Sequence, residues 1–286
     1  MEEVRTLSPA EFPPLLAEIP DTPKTLYLRG ALPDWNNYKI LAVVGSRKYT
    51  DYGKEAVTKI IRELAGYPVM IVSGLALGID SIAHQAALEA GLLTIAVPGS
   101  GLSDRAIYPA QHLGLAKRIV DSGGALLSEY APDFHATLWS FPQRNRIMAG
   151  MSHATLVIEA EKKSGTLITS RLATEYNRDV LTVPGPIFSK TSEGPHMLIR
   201  LGATPVSSGA DVLEALHIEE AVADEKTPLS DCSPKELSIL ELLTEPLPRD
   251  TLIQKSALEA PELNMILSLL EIKGLVNERM GKIGRT

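Results

Sequence analysis

Four consecutive residues, Gly45-Ser46-Arg47-Lys48, join a flexible backbone, a hydroxyl and two cations directly behind the unbroken apolar run 40–44. A glycine lets the main chain approach a ligand closely, and free amides ahead of a helix favour an anion. Arg47 can hold a phosphate through two parallel hydrogen bonds. Further turns of the same kind follow: Ser73-Gly74-Leu75-Ala76-Leu77-Gly78, Gly99-Ser100-Gly101, Ser164-Gly165-Thr166 and Pro184-Gly185-Pro186. Any one of them is ordinary closure of a short loop between a strand and a helix. Taken together, with hydroxyls and Arg47 among them, they read as a wall of backbone amides for phosphates.

The segment Phe141-Pro142-Gln143-Arg144-Asn145-Arg146 adds two arginines at i and i+2, which lie on different faces of a helix. Arg144 is expected at the ligand edge and Arg146 at a carboxylate or carbonyl; the alternative is that both only tie loops. Phe141 is either core or a platform on which a base stacks, and with aromatics at 5% of the chain the second reading has weight. Glu159 is open as a general base or a structural carboxylate, and Asp80 as a helix cap or a partner of His84. Lys162 and Lys163 read as a solvated loop tip. His112, His135, His153 and His196 have no metal-ligand spacing. No nucleophile, base and orienter converge, so no catalytic residue, metal or cofactor is assigned, and the expectation is a protein that is not an enzyme.

Short apolar strands must carry these turns. Candidates are 40–44, 69–72, 93–97, 125–127, 155–158, 180–183 and 204–206, alternating with helical patterns at 53–64, 79–90, 111–121, 143–151, 166–176, 195–201 and 210–216. That alternation is the signature of βαβ units, and it predicts an α/β fold with a doubly wound, mostly parallel sheet whose ligands bind at the carboxyl edge. Residues 1–38, with a helix expected over 8–19 and a strand over 26–29, form an arm packed on this 39–216 domain. A polar linker, 217–230, leads to 231–286. There, helical patterns at 234–243, 249–256 and 261–273, with a hairpin turning at Gly281, give a small winged-helix-like domain.

The chain of 286 residues has room for one large core and one small one. It opens on no signal-peptide pattern and contains no run approaching the roughly 20 apolar residues of a membrane span, so a cytoplasmic location is expected. The single cysteine, Cys232, has no partner for a disulfide. Net charge is −7, but residues 1–210 carry 20 basic and 20 acidic residues, whereas 211–286 carry 8 and 15. Because the third C-terminal helix offers only Lys273 against Glu262 and Glu271, the small domain reads as an acidic protein-interaction module.

The ordered series Val44-Gly45-Ser46-Arg47, Ser73 to Asp80 with Ala83-His84, Gly99-Ser100-Gly101-Leu102 with Ile107-Tyr108-Pro109-Ala110, Ser128-Glu129-Tyr130, Phe141 to Ile147, Glu159-Ala160 with Ser164 to Thr169, and Val183-Pro184-Gly185 resembles the DNA-processing protein A family (DprA/Smf). The resemblance spans roughly residues 10–280. It implies an extended Rossmann-like domain that binds single-stranded DNA, forms a homodimer and loads the RecA recombinase in natural transformation. It further implies that Gly45, Ser46 and Arg47 hold a backbone phosphate. The 73–78 and 99–101 turns, through Ser73, Gly74, Gly78, Gly99, Ser100 and Gly101, would add amides and hydroxyls. Phe141 and Arg144 would lie along the strand, with Ser164, Gly165 and Thr166 beside them. Members often place a basic residue just before the Phe, where this chain has residues 136–140, none of them Lys or Arg.

Two rival readings remain open on residues alone. A nucleotide-processing enzyme of the phosphoribohydrolase type needs Pro-Gly-Gly-x-Gly-Thr-x-x-Glu, and Thr169 stands where that Glu would be. A scaffold or sensor would hold one small phosphorylated ligand in the same pocket. A dinucleotide oxidoreductase lacks its Gly-x-Gly-x-x-Gly spacing.

Overall fold

The apolar run of the first predicted strand is buried on both faces, since Leu41 and Val43 point to one side of the sheet and Ile40 and Val44 to the other. In the computed structural model, residues 3–219 and 232–285 are described, apart from 244, 245, 257, 274 and 280. The chain divides into two compact units, 1–219 and 220–286.

Unit one contains, in order, β1 (Arg5–Leu7), β2 (Leu26–Gly30), β3 (Lys39–Val44), α1 (Asp51–Glu63), β4 (Val69–Ser73), α2 (Ile79–Glu89), β5 (Thr94–Ala96), α3 (Leu113–Asp121) and β6 (Ala125–Ser128). It continues through α4 (Ser140–Met151), β7 (Ala154–Val157), α5 (Thr166–Glu175), β8 (Asp179–Thr182), α6 (Glu193–Arg200), β9 (Thr204–Pro205) and α7 (Gly209–Ala215). The sheet has nine strands in the order β1-β2-β6-β5-β4-β3-β7-β8-β9. Strands β3 to β9 are mutually parallel; at one edge β2 pairs antiparallel with β6, and β1 pairs antiparallel with β2. The expected doubly wound α/β sheet is present, widened by two strands from the N-terminal segment. The helix expected over 8–19 is instead two 3-10 turns, 9–11 and 14–18, because Pro13 and Pro14 remove donors in its middle. Leu16, Ile19 and Trp35 from this segment are nevertheless buried in the core.

Two apolar clusters sandwich the sheet. Val57, Ile60 and Ile61 of α1, Ile82 and Ala86 of α2, and Val212 and Leu213 of α7 cover one face. Ile147, Met148 and Met151 of α4, with the N-terminal segment, cover the other. From β3 the chain moves strand by strand to β6, then crosses back to β7 on the far side of β3. The loops leaving β3 and β7 therefore diverge at their carboxyl ends and open a crevice, the usual ligand position in such sheets.

Unit two is built from α8 (Pro234–Leu242), β10 (Leu247–Pro248), α9 (Arg249–Ser256), α10 (Ala260–Ile272), β11 (Val276–Arg279) and β12 (Lys282–Arg285). The three strands form a sheet in the order β10-β12-β11. Three helices with a terminal hairpin make a winged helix. Most of the expected linker lies outside the described residues. The acidic character assigned to this unit needs correction. Residues 211–231 hold 7 acidic residues against 1 lysine, whereas 232–286 hold 8 acidic against 7 basic. The folded winged helix is thus close to neutral, and the excess charge belongs to α7 and the stretch after it. On α10, Met265 and Leu269 are exposed at helical spacing. No described helix is long and apolar enough to cross a membrane.

Beneath the sheet's ligand edge, His84 of α2 is fully buried, with Nδ1 2.7 Å from Thr94 Oγ1. Burial pushes its pKa from 6.5 down to about 3. Between those values the unfolded chain binds a proton that the fold does not, so stability falls as pH drops below 6.5. From pH 7 to pH 5 this one group is expected to remove about 2 kcal/mol. Both tryptophans, Trp35 and Trp139, lie in unit one, so urea titrations followed by their fluorescence report on it. His84→Gln is predicted to lose less stability than wild type over that interval, and equal losses would contradict the assignment.

Candidate nucleic-acid interface

The crevice between the β3 and β7 loops is an open cleft of about 620 Å³. Its floor is the Gly45-Ser46-Arg47-Lys48 turn, one wall is Lys163-Ser164-Gly165-Thr166 ahead of α5, and the other is Phe141, Arg144 and Asn145 of α4. Tyr108 and Leu138 close its rim.

The floor is held open by its own hydrogen bonds. Ser46 Oγ donates to Lys48 O at 2.8 Å and accepts from Lys48 N at 3.0 Å, so its hydroxyl shapes the turn. Thr166 Oγ1 donates to Gly45 O at 3.1 Å and links floor to wall, while Ser164 Oγ donates to Thr166 Oγ1 at 3.0 Å. Among the described residues no acceptor meets the backbone amides of Gly45, Ser46 or Arg47. Three main-chain donors thus stand without an acceptor at the carboxyl end of a parallel strand, where backbone amides suit an anion.

The arginines divide as their spacing predicts. Arg144 is buried; its Nη1 donates to Gly74 O at 2.7 Å and to Val97 O, and Nε donates to Asn145 Oδ1 at 3.2 Å. Burial drives its pKa down to about 10, opposed by the nearby Asp80 carboxylate. Asp80 is itself buried and pushed up by desolvation, with the Arg144 charge acting against that shift. Arg146 leaves the cleft and holds both Glu129 oxygens at 2.6 and 2.8 Å. Arg47, by contrast, is exposed, and its guanidinium carbon sits 5.3 Å from the centroid of the Phe141 ring. That distance is within cation–π range. Tyr108 meets the same ring at 5.6 Å. Phe141 is therefore not core.

Six of the residues expected at the phosphate do not line the cleft. Ser73 is buried and donates to Val43 O at 2.6 Å. The Gly74 amide donates to Asp80 Oδ2 at 3.1 Å, and the Gly101 amide to Phe134 O at 2.8 Å. Ser100 is buried with its hydroxyl on Gly101 O. Gly99 supports the site from behind, because a Cβ there would come within 2.6 Å of the Phe141 ring. Gly78, at φ +85°, lets its turn pack on the floor: a Cβ would overlap the Ser46 carbonyl oxygen, and Ile79 N donates to that oxygen at 3.2 Å. These turns are braces, and the cleft's own groups come from 45–48, 141–145 and 163–166.

Glu159 resolves as structural. Its buried carboxylate accepts from Thr50 N at 2.9 Å, Thr50 Oγ1 at 2.6 Å and Thr191 Oγ1 at 2.7 Å. Among the described residues no three His, Cys, Asp or Glu side chains gather as a metal site. Lys163, expected at a solvated loop tip, is in the cleft lining, and so is Tyr108, which the sequence places in the family series without a role at the site. Only the aromatic character of Tyr108, in a chain with four Phe and eight Tyr, could have marked it. A second cavity of about 440 Å³ opens at the opposite, amino edge beside Trp35, Lys39, His153 and His217.

A family model described as DNA recombination-mediator protein A matches residues 3–217, and the DprA winged helix domain model matches 223–282. The chain belongs to the DNA recombination-mediator protein A family. Protein Smf of Escherichia coli is 38% identical over 273 residues, 93% of this chain and 72% of that protein. The DNA processing protein DprA of Bacillus subtilis is 37% identical over 210 residues, 73% of this chain and 70% of its own length. The X-ray structure of DprA from Streptococcus pneumoniae aligns with a TM-score of 0.69 and 41% identity, covering 74% of each chain. A structure of DNA processing protein A from Helicobacter pylori, described by its single-stranded DNA binding mode, aligns at 0.67 and 30% identity, over 76% of this chain and 98% of that one. The family's description, recombination mediation, and its relatives' name, DNA processing protein, place this chain among proteins that process DNA.

Gly78→Ala tests the brace. Strain at positive φ, added to the overlap with Ser46, is expected to cost about 1–3 kcal/mol of stability and to displace the 45–48 floor. Oligonucleotide affinity of the folded variant should fall with it, whereas Gly91→Ala, also at positive φ but with open space around it, should leave affinity unchanged.

Proposed function

We propose that the protein binds single-stranded DNA in the β3–β7 cleft without chemistry on it, and hands the strand to the RecA recombinase. The observation that carries this reading is Arg47: a cation free of any carboxylate among the described residues, held over the Phe141 ring beside three unpartnered amides. A phosphate fits the amides and guanidinium, and a base fits the aromatic face. Arg144 Nη2, which makes no hydrogen bond among the described residues, adds a donor from the wall. Neither contact reads the identity of a base, so most sequences should bind. Transfer to RecA and pairing of two copies rest on the family resemblance; for the pairing, exposed Leu201 beside the edge strand β9 offers an apolar contact.

The enzyme reading loses support because Glu159 is fully engaged by Thr50 and Thr191 and leaves the cleft without that base. The small-ligand reading draws on the cleft's volume, which suits one nucleotide, and its openness favours a polymer that continues past it.

Fluorescence anisotropy of a labelled oligothymidylate tests the proposal. Arg47→Ala should weaken binding about tenfold to a hundredfold, as losing a charged hydrogen bond of about 1.5–3 kcal/mol predicts. Wild-type affinity should fall with salt, by a slope of about −0.7 per phosphate neutralised. The matching duplex should compete poorly. Salt-independent binding, or full competition by a mononucleotide, would overturn the reading. As a second arm, RecA filament assembly on the bound strand should be faster than on the free strand under limiting RecA.

A further inference from the structure

Strand order places the β8 loop beside the β7 loop, and the β7 loop beside the floor after β3. With neighbouring strands about 4.8 Å apart, the β8 loop lies roughly 10 Å along the carboxyl edge from Gly45. Its tip is the turn closed by Ser189 N on Pro186 O at 3.0 Å, and it carries Phe188, 95% exposed, and Ile187, 78% exposed. An aromatic ring presented so fully to solvent on an otherwise well-packed unit needs a reason.

Both ends of this loop are tied to the elements around the cleft. Tyr52 Oη donates to Pro184 O at 2.5 Å, which pins the start of the loop to α1. At its far end Thr191 shares the Glu159 carboxylate with Thr50, the residue that caps α1 directly behind the cleft floor. Ala160 N further donates to Thr191 O at 2.8 Å. Glu159 thus clamps the loops after β3, β7 and β8 into one surface. On the segments 47–52, 161–166 and 184–193 of that surface stand five cations, Arg47, Lys48, Lys162, Lys163 and Lys190, against three carboxylates, Asp51, Glu161 and Glu193.

We infer that this clamped surface continues the cleft as a track for single-stranded nucleic acid, with Phe188 as a second stacking platform and Lys190 as its phosphate contact. The inference rests on the cleft reading above and extends it. Along the carboxyl edge the order becomes Phe141, Arg47, Lys163, then Phe188 with Lys190: ring, cation, cation, ring. Alternation of rings and cations along a groove is what a sequence-tolerant single-strand site requires. The charge balance favours a polyanion over an apolar protein partner, and the exposed Phe188 ring offers a face on which any base can stack.

The test is anisotropy over oligothymidylates of increasing length, with wild type, Arg47→Ala, Phe188→Ala and Lys190→Ala. Wild-type affinity is expected to rise with length until the track is filled. Phe188→Ala should leave the shortest oligonucleotides unchanged and weaken the longest about tenfold, in line with one lost base stack. Lys190→Ala should reduce the salt slope for long strands by about 0.7. Phe188 makes no core contact, so folding is not at risk, and sedimentation of each variant checks its oligomeric state. Equal effects of Phe188→Ala on short and long strands, or none on either, would overturn the track and leave the cleft standing. A change in self-association alone would do the same. Loss of all binding by Arg47→Ala at every length, with Phe188→Ala affecting only long strands, supports both. Absence of binding by wild type at every length overturns the cleft reading and the track with it.

Discussion

The site depends on one topological constraint: β3 lies between the two halves of a parallel sheet, so the loops that leave β3 and β7 must part. Where they part, the last residues of β3 lose their neighbours, and the amides of Gly45, Ser46 and Arg47 are left facing solvent. Three main-chain donors at this strand end are met by no acceptor of the fold and are free to receive an anion. Everything around the cleft preserves that arrangement. Gly78 brings the β4 turn onto the Ser46 carbonyl, Thr166 ties the opposite wall to Gly45, and Glu159 fastens Thr50 to Thr191.

Electrostatics sort the cations by role. Arg144 is buried near the Asp80 carboxylate, with Nη1 on two main-chain carbonyls and Nε on Asn145, so it stiffens the wall. Arg146 is spent on Glu129. Arg47 keeps its donors because a ring, not a carboxylate, holds it. A cation–π contact of about 0.5–1 kcal/mol at an exposed site is weak enough to yield to a phosphate and strong enough to pre-orient the guanidinium. The net charge of the chain, −7, arises beyond residue 210, whereas residues 1–210, which contain the whole cleft lining, carry 20 basic and 20 acidic residues.

The sheet was legible in the sequence because strands buried on both faces leave unbroken apolar runs, and 40–44, 69–72 and 155–158 are such runs. The floor was legible because its four residues are contiguous. Which turns expose their amides was not. Gly45 and Gly74 look alike as letters, yet Asp80, six residues on, takes the Gly74 amide, and only packing reveals it. Tyr108 and Lys163 reach the cleft from loops 61 and 116 positions after Arg47, a distance no local pattern encodes. The N-terminal segment reads as an arm because it is too short for a domain; its strand at 26–29 is legible, but β1, three residues long, is not. The small domain reads as acidic only when the 7 acidic residues of 211–231 are counted with it.

The most direct measurement of the central claim is amide hydrogen exchange at single-residue resolution, with and without a saturating oligothymidylate. The unpartnered amides of Gly45, Ser46 and Arg47 are predicted to gain protection on binding, while those of Gly74 and Gly101, already bonded within the chain, stay unchanged. Protection at Lys39 and His153 around the amino-edge cavity, with none at the β3 loop, would contradict the account.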